Sequence, residues 1–268
     1  MRFRTAGSSS EGTERAASPG RAAAHVGLRE ATGEAIGRWW APAVATVSRV
    51  RKARMFHPSG HTFVGRCEPV EDSSFAALAD RLEGRVLARC SSALWRAELP
   101  WLDVLGIGLR IRPGRGPALD HQATRGDQDL LFATIRSPLT MFASPFTTDA
   151  RDITGNQYWA VSPFLAEPIG RVKLRLRPVA PVHARGSRSA RLRAAVDAGR
   201  AAWWLEARRT LTVGWHPVAR IVLQREAAID QAALRFDPFR TGLGIEPVGL
   251  VHAIRRAAYA ASQQARPH

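Results

Sequence analysis

The sequence predicts an α+β fold in which strands form the centre and helices are segregated around it. Three observations predict it. Arg171 to Arg177 alternates charged and aliphatic side chains without a break, which is the period of a strand with one buried face and turns Val172, Leu174 and Leu176 inward. The apolar runs Val104 to Arg112 and Asp129 to Ile135 are separated by a stretch rich in Gly and Pro, the punctuation of two strands and a connection. Stretches with helical spacing stand before and after these runs rather than alternating with them.

In chain order, residues 1–28 are rich in Arg, Ser, Gly and Ala with no contiguous apolar run, so a disordered tail is expected there and not a secretory signal. One domain is expected over residues 29–268. Glu30 to Arg54 has helical spacing interrupted at Pro42, with Trp39 and Trp40 giving a bulky face. Ser74 to Leu82 predicts a short helix and Val86 to Ser91 a strand, followed by the two strands already named. Beyond the alternating strand, the pattern predicts a helix over Ser189 to Arg208, a strand over Val218 to Gln224 and a closing helix over Gly249 to Gln263.

The net charge is +16 at pH 7, from 39 Lys and Arg against 23 Asp and Glu. Lys52 and Lys173 are the only lysines. The arginines are scattered among Ala, Leu and Val rather than gathered, which argues for a compositional bias and against nucleic acid as partner. Cys67 and Cys90 have no metal-type spacing and form no disulfide framework, so a reducing, cytoplasmic setting is expected. The apolar stretch Trp39 to Val47 contains Pro42 and is too short to cross a bilayer, so no membrane partner is expected.

Two constellations carry chemistry. Near the end, Arg255 and Tyr259 are four apart on the predicted helix, and Arg266 follows seven residues later. A phenol of ordinary pKa about 10 binds ferric iron well only as phenolate, and a guanidinium on the same helix face favours that ion. Such a pair also makes an ordinary solvated stack. Upstream stand Arg54-Met55-Phe56-His57-Pro58-Ser59-Gly60 and Arg89-Cys90-Ser91-Ser92. By itself His57, next to Pro58 and Gly60 and with His61 nearby, reads better as a turn residue.

Together, and in this chain order, the three pieces resemble the haem catalase family. Asp103 to Arg110, Asp129-Leu130-Leu131, Phe236-Asp237-Pro238 and Gly244-Ile245-Glu246-Pro247 are similar to further stretches of that family, so the resemblance runs over roughly residues 50 to 266. It implies a closed antiparallel β-barrel with surrounding helices, whose one end shelters haem b. Tyr259 would be the iron ligand, supported by Arg255, with Arg54, Arg89 and Arg266 meeting the propionates through bidentate pairing. His57 would carry the peroxide proton, because an imidazole titrates near neutral pH. Ser91 would fix its tautomer.

One departure bears on activity. Where the family has Asp-Leu-Val-Gly-Asn-Asn, this chain has Asp129-Leu130-Leu131-Phe132-Ala133-Thr134, so Thr134 is expected to replace the distal asparagine. Threonine offers one donor where the amide offers two. Peroxidase-like reduction of hydrogen peroxide or organic hydroperoxides, using a small-molecule reductant, is therefore expected ahead of rapid dismutation. A haem-binding or haem-transfer protein without peroxide chemistry is the alternative. With Tyr259 nine residues from the last residue, no C-terminal helical domain is expected, and a monomer or dimer is expected in place of a tetramer.

Overall fold

The computed structural model describes residues 59–93, 101–114, 118–137, 143–160, 162–182, 184–231 and 233–248. Strands dominate them. In order come β1 (Ser59–Pro69), α1 (Ala76–Leu82), β2 (Gly84–Ser92), β3 (Leu105–Pro113), β4 (Gln128–Ala133), α2 (Ser144–Thr147), β5 (Tyr158–Ala160), β6 (Phe164–Ala166), β7 (Gly170–Pro178), α3 (Arg188–Asp197), β8 (Ala202–Arg209), β9 (His216–Glu226) and β10 (Ile245–Pro247). Each strand pairing is antiparallel, in the order β10-β6-β7-β5-β4-β3-β2-β1-β9-β8, and β8 pairs again with β7. That last ladder closes β1–β5 and β7–β9 into an eight-stranded barrel, leaving β6 and β10 as a flap on the edge of β7. Closure removes the exposed edges that an open sheet would present.

Period-two alternation decides which side chains fill the interior. Phe63 and Cys67 of β1, Ala88 and Cys90 of β2, Ile107 and Leu109 of β3, Leu130 and Phe132 of β4, Leu174 and Leu176 of β7, and Trp203 and Leu205 of β8 belong to one buried cluster. Each Leu, Ile or Phe among them removed from water contributes about 1.5–3 kcal/mol. Helices cover both ends. At one, Phe75, Leu78 and Leu82 of the α1 region join the same cluster. At the other, Leu192, Ala195 and Val196 of α3 do so, while Arg188 holds Asp103 at 2.8 Å just before β3. Burial pushes the Cys67 thiol far up and the Cys90 thiol up to about 12, so both free cysteines stay protonated at neutral pH.

The expected barrel is present, but the expected helical share is not. The predicted helix over Ser189 to Arg208 is two elements, α3 and β8. Gly199 has φ +65° and its N–H donates to Val196 O at 2.9 Å, so the chain reverses there as a left-handed helix terminus does. Beyond it, Trp203, Leu205 and Ala207 alternate inward. β1 is a strand over residues for which no element was expected, and β5, β6 and β10 were not anticipated either. The helices predicted over residues 30–54 and 249–263, and the tail at 1–28, lie outside the described residues.

Candidate functional site

The outer face of β1–β4 forms a wall on which the sequence motifs converge. Strand register aligns its side chains in rows: Gly60, Ser91, Gly106 and Ala133 in one, then Thr62, Arg89, Gly108 and Leu131, then Val64, Leu87, Arg110 and Asp129. The first row contains nothing larger than a serine. Four adjacent strands about 4.8 Å apart make it a shelf about 14 Å wide. The Arg89 guanidinium lies over the β1 side of this shelf: a Cβ on Gly60 would stand 2.9 Å from Arg89 Cζ and 2.8 Å from the Cys90 carbonyl oxygen. Gly60 is required there because any side chain would displace that charge. Arg89 and Ser91 are both buried, and the Ser91 hydroxyl donates to the Gly106 carbonyl at 3.4 Å.

Lower on the wall, buried ion pairs hold down the segment that leads towards the C-terminus. Arg110 meets Asp129 bidentately, Nε to Oδ1 at 2.9 Å and Nη2 to Oδ2 at 3.1 Å, with neither side chain exposed. Asp129 Oδ2 also accepts from the Asp237 amide at 2.9 Å and from Arg240 Nε at 3.2 Å, while Arg110 donates to the Arg235 carbonyl. Phe236 packs over Gly108, whose missing side chain leaves the ring room, and sits 5.2 Å from the Arg110 guanidinium. Arg112 and Asp127 repeat the arrangement at 2.7 and 2.9 Å. Burial raises the Asp127 carboxyl, but the Arg112 and Thr124 hydrogen bonds outweigh it and hold the group below its ordinary value.

The structure brings Arg89 and Ser91 together and separates Thr134 from them. Thr134 has the opposite parity: its hydroxyl accepts from the Leu105 amide at 3.1 Å and from the Thr148 hydroxyl at 2.8 Å. It ties the end of β4 to β3 and to the residues after α2. By the alternation of β4 the position level with Ser91 is Ala133, which has no side-chain donor. That parity was readable in the sequence, because Asp129, Leu131 and Ala133 share one face of any strand through them. His61 also faces away from the shelf: it pairs across with Cys90 and lies 3.1 Å from Arg193 Nη2 and 3.6 Å from Glu226. Arg54, His57, Arg255, Tyr259 and Arg266 lie outside the described residues.

A flat macrocycle with anionic edges suits what the described residues offer. The first row is shallow, and a buried guanidinium lies on it as partner for a carboxylate. Among the described residues no cluster of three or more His, Cys, Asp or Glu could hold a metal ion. No helix among them is long and apolar enough to cross a membrane.

No family model matches the chain, and no curated protein does. Among solved structures, the fold is similar to that of a bacterial catalase, with a TM-score of 0.57 and 14% identity over 82% of this chain and 60% of that one. A fungal catalase is similar with a TM-score of 0.54 and 11% identity, over 82% of this chain and 61% of the other. The barrel is catalase-like in fold. The chain spans about three fifths of the length of either catalase.

Proposed function

We propose that this chain binds haem b against the β1–β4 wall and reduces hydrogen peroxide or organic hydroperoxides in a peroxidase-like reaction. The observation that carries the reading is the shelf itself: Ser91 belongs to a row of small residues and Arg89, one row along the same face of β2, has its guanidinium beside Gly60, on a barrel of catalase-like fold. Tyr259 is the iron ligand in this reading, kept as phenolate by Arg255, and Arg54, Arg89 and Arg266 pair with the propionates. The bound haem supplies the redox chemistry that cleaves the peroxide O–O bond. His57 takes the proton from one peroxide oxygen and returns it to the other as it leaves, while the Ser91 hydroxyl bonds the second ring nitrogen and fixes the tautomer. Proton transfer by a positioned imidazole contributes about a hundredfold to ten-thousandfold.

Ala133 favours reduction with an external small-molecule donor over rapid dismutation. It places no hydrogen-bond donor level with Ser91, and ordering a second peroxide needs one. The same bare position favours, as a second reading, a haem-binding protein without peroxide chemistry. Expression with haem supplied tests the first step: a Soret band is expected, and its loss or shift in Tyr259→Phe. A wild-type protein without that band overturns the reading. Stopped-flow mixing with peroxide then separates the two: His57→Ala should keep haem and react about a hundredfold or more slowly, whereas an unchanged rate leaves the haem-binding reading ahead.

A further inference from the structure

The hairpin between β8 and β9 carries a feature that neither the barrel nor the shelf requires. Its turn, residues 210–215, presents Leu211 at 98% exposure and Val213 at 91%. Local hydrogen bonds hold the turn in this form. Thr210 donates its amide to the Arg171 carbonyl at 3.1 Å, and Thr212 donates both its amide and its hydroxyl to the Arg209 carbonyl at 3.2 Å. Trp215 closes the base, with its ring 4.5 Å from the Arg175 guanidinium and 5.0 Å from that of Arg208. With its base pinned in this way, the turn keeps both aliphatic side chains in water.

Basic residues surround the base of the turn. Arg208 and Arg209 end β8, and the register sets Lys173 opposite Arg208 and Val172 opposite Arg209, with Arg171 next along β7. Arg171 and Arg209 are exposed. The acidic groups near them are few: Glu206 is buried and bound by Arg175 at 2.6 Å and Arg177 at 2.7 Å, and Glu167 stands four residues before Arg171.

We propose that this hairpin docks the protein on an anionic lipid surface, with Leu211 and Val213 entering the interface and Arg171, Lys173, Arg208 and Arg209 meeting the headgroup phosphates. Two apolar tips ringed by guanidinium groups match a bilayer boundary, which offers hydrocarbon just beneath a layer of negative charge. A second copy of the chain fits less well, because a two-fold contact through this tip would bring two clusters of basic residues together. Nucleic acid also fits less well, since aliphatic tips offer bases no stacking face. Such docking lies on the surface and needs no membrane-spanning helix. It rests on the hairpin alone and is independent of the haem reading.

Co-sedimentation of the full chain with vesicles tests it, using phosphatidylcholine with and without phosphatidylglycerol. The protein should pellet with the anionic vesicles and remain in solution with the neutral ones. The double variant Leu211→Ser, Val213→Ser should lower partitioning about tenfold to a hundredfold. The double variant Arg171→Gln, Arg209→Gln should lower it about tenfold or more and weaken its salt dependence. All four positions are exposed or at the strand end, so circular dichroism should stay unchanged. Failure to pellet with either vesicle overturns the proposal. So does binding that survives the Ser pair, which would mark diffuse attraction by the net charge of +16. Concentration-dependent self-association that the Ser pair abolishes overturns it as well, in favour of a second copy.

Discussion

The two sides of the barrel use arginine in opposite ways. On the β2–β3 side both faces of the sheet are buried, so β3 is buried from Leu105 through Arg112, and each lower-wall arginine there has its own aspartate: Asp129 for Arg110, Asp127 for Arg112. On the β7–β8 side the outer face is covered only in part; β7 alternates, and the partly exposed Arg175 and Arg177 share the single buried carboxylate of Glu206. A charge removed from water must be matched group for group, because an uncompensated one costs several kcal/mol. A charge at the surface needs no such match. The paired arginines therefore act as ties that fix residues 235–240 against the wall, and the surface arginines set the field around the barrel.

Mutations should break this contrast in a graded order. Asp129→Ala leaves Arg110 buried without its carboxylate and releases Asp237 and Arg240. A loss of about 3–5 kcal/mol is expected, read as a fall in urea midpoint. Arg112→Gln should cost somewhat less and change the response to acid. With the guanidinium in place Asp127 titrates below its ordinary value, so its contribution is present above the normal carboxylate range and disappears as pH falls through the lowered value. Without Arg112, only the Thr124 hydrogen bonds oppose the burial that raises this group. The acid-unfolding midpoint should therefore move to higher pH, measurable by circular dichroism.

Gly60→Val should come next, at about 1–3 kcal/mol, since its Cβ would meet the Cys90 carbonyl oxygen at 2.8 Å and push the Arg89 guanidinium aside. Haem titration should show weaker binding as well. Thr134→Val should cost about 1–2 kcal/mol by removing the side-chain acceptor of the Leu105 amide, while the Thr148 hydroxyl keeps the Ser144 carbonyl, and it should leave peroxide turnover unchanged. Ala133→Asn should do the reverse: a small stability change, with more oxygen released from hydrogen peroxide relative to donor oxidation. The smallest effect is expected from Arg177→Gln. Its side chain is 38% exposed, so its ion pair should be worth no more than about 1 kcal/mol in a urea titration.

Much of the wall was legible residue by residue. Val86–Ser91, Val104–Arg112 and Asp129–Ile135 fall on β2, β3 and β4 because short apolar runs bounded by turn residues suit strands buried on both faces, and Arg171–Arg177 falls on β7 because an unbroken period of two has one solution in a two-faced sheet. The helix over Ser74 to Leu82 overlaps α1 for the same local reason. Ser189 to Arg208 misled because its Ala, Leu and Arg content is that of a helix, while the break depends on one residue, Gly199. β1 was missed because Gly60, Gly65 and Pro69 weaken any strand pattern of its own, and only pairing with β2 and β9 on both sides makes it a strand. The short strands β5, β6 and β10 have three residues each and no period of their own.

The sequence by itself determined the alternation of the main strands, the placing of Arg89 and Ser91 on one face of β2, and the order in which the motif residues follow one another. These are local properties, set by spacing along a single chain segment. Only the tertiary structure decided that β7 closes on β8, that Ala133 and not Thr134 stands level with Ser91 across three strands, and that Asp129 holds residues from the far end of the barrel. Register between strands and the matching of buried charges depend on contacts between residues far apart in sequence, here Arg110 with Asp129 and Asp129 with Asp237, and no spacing within one segment specifies them.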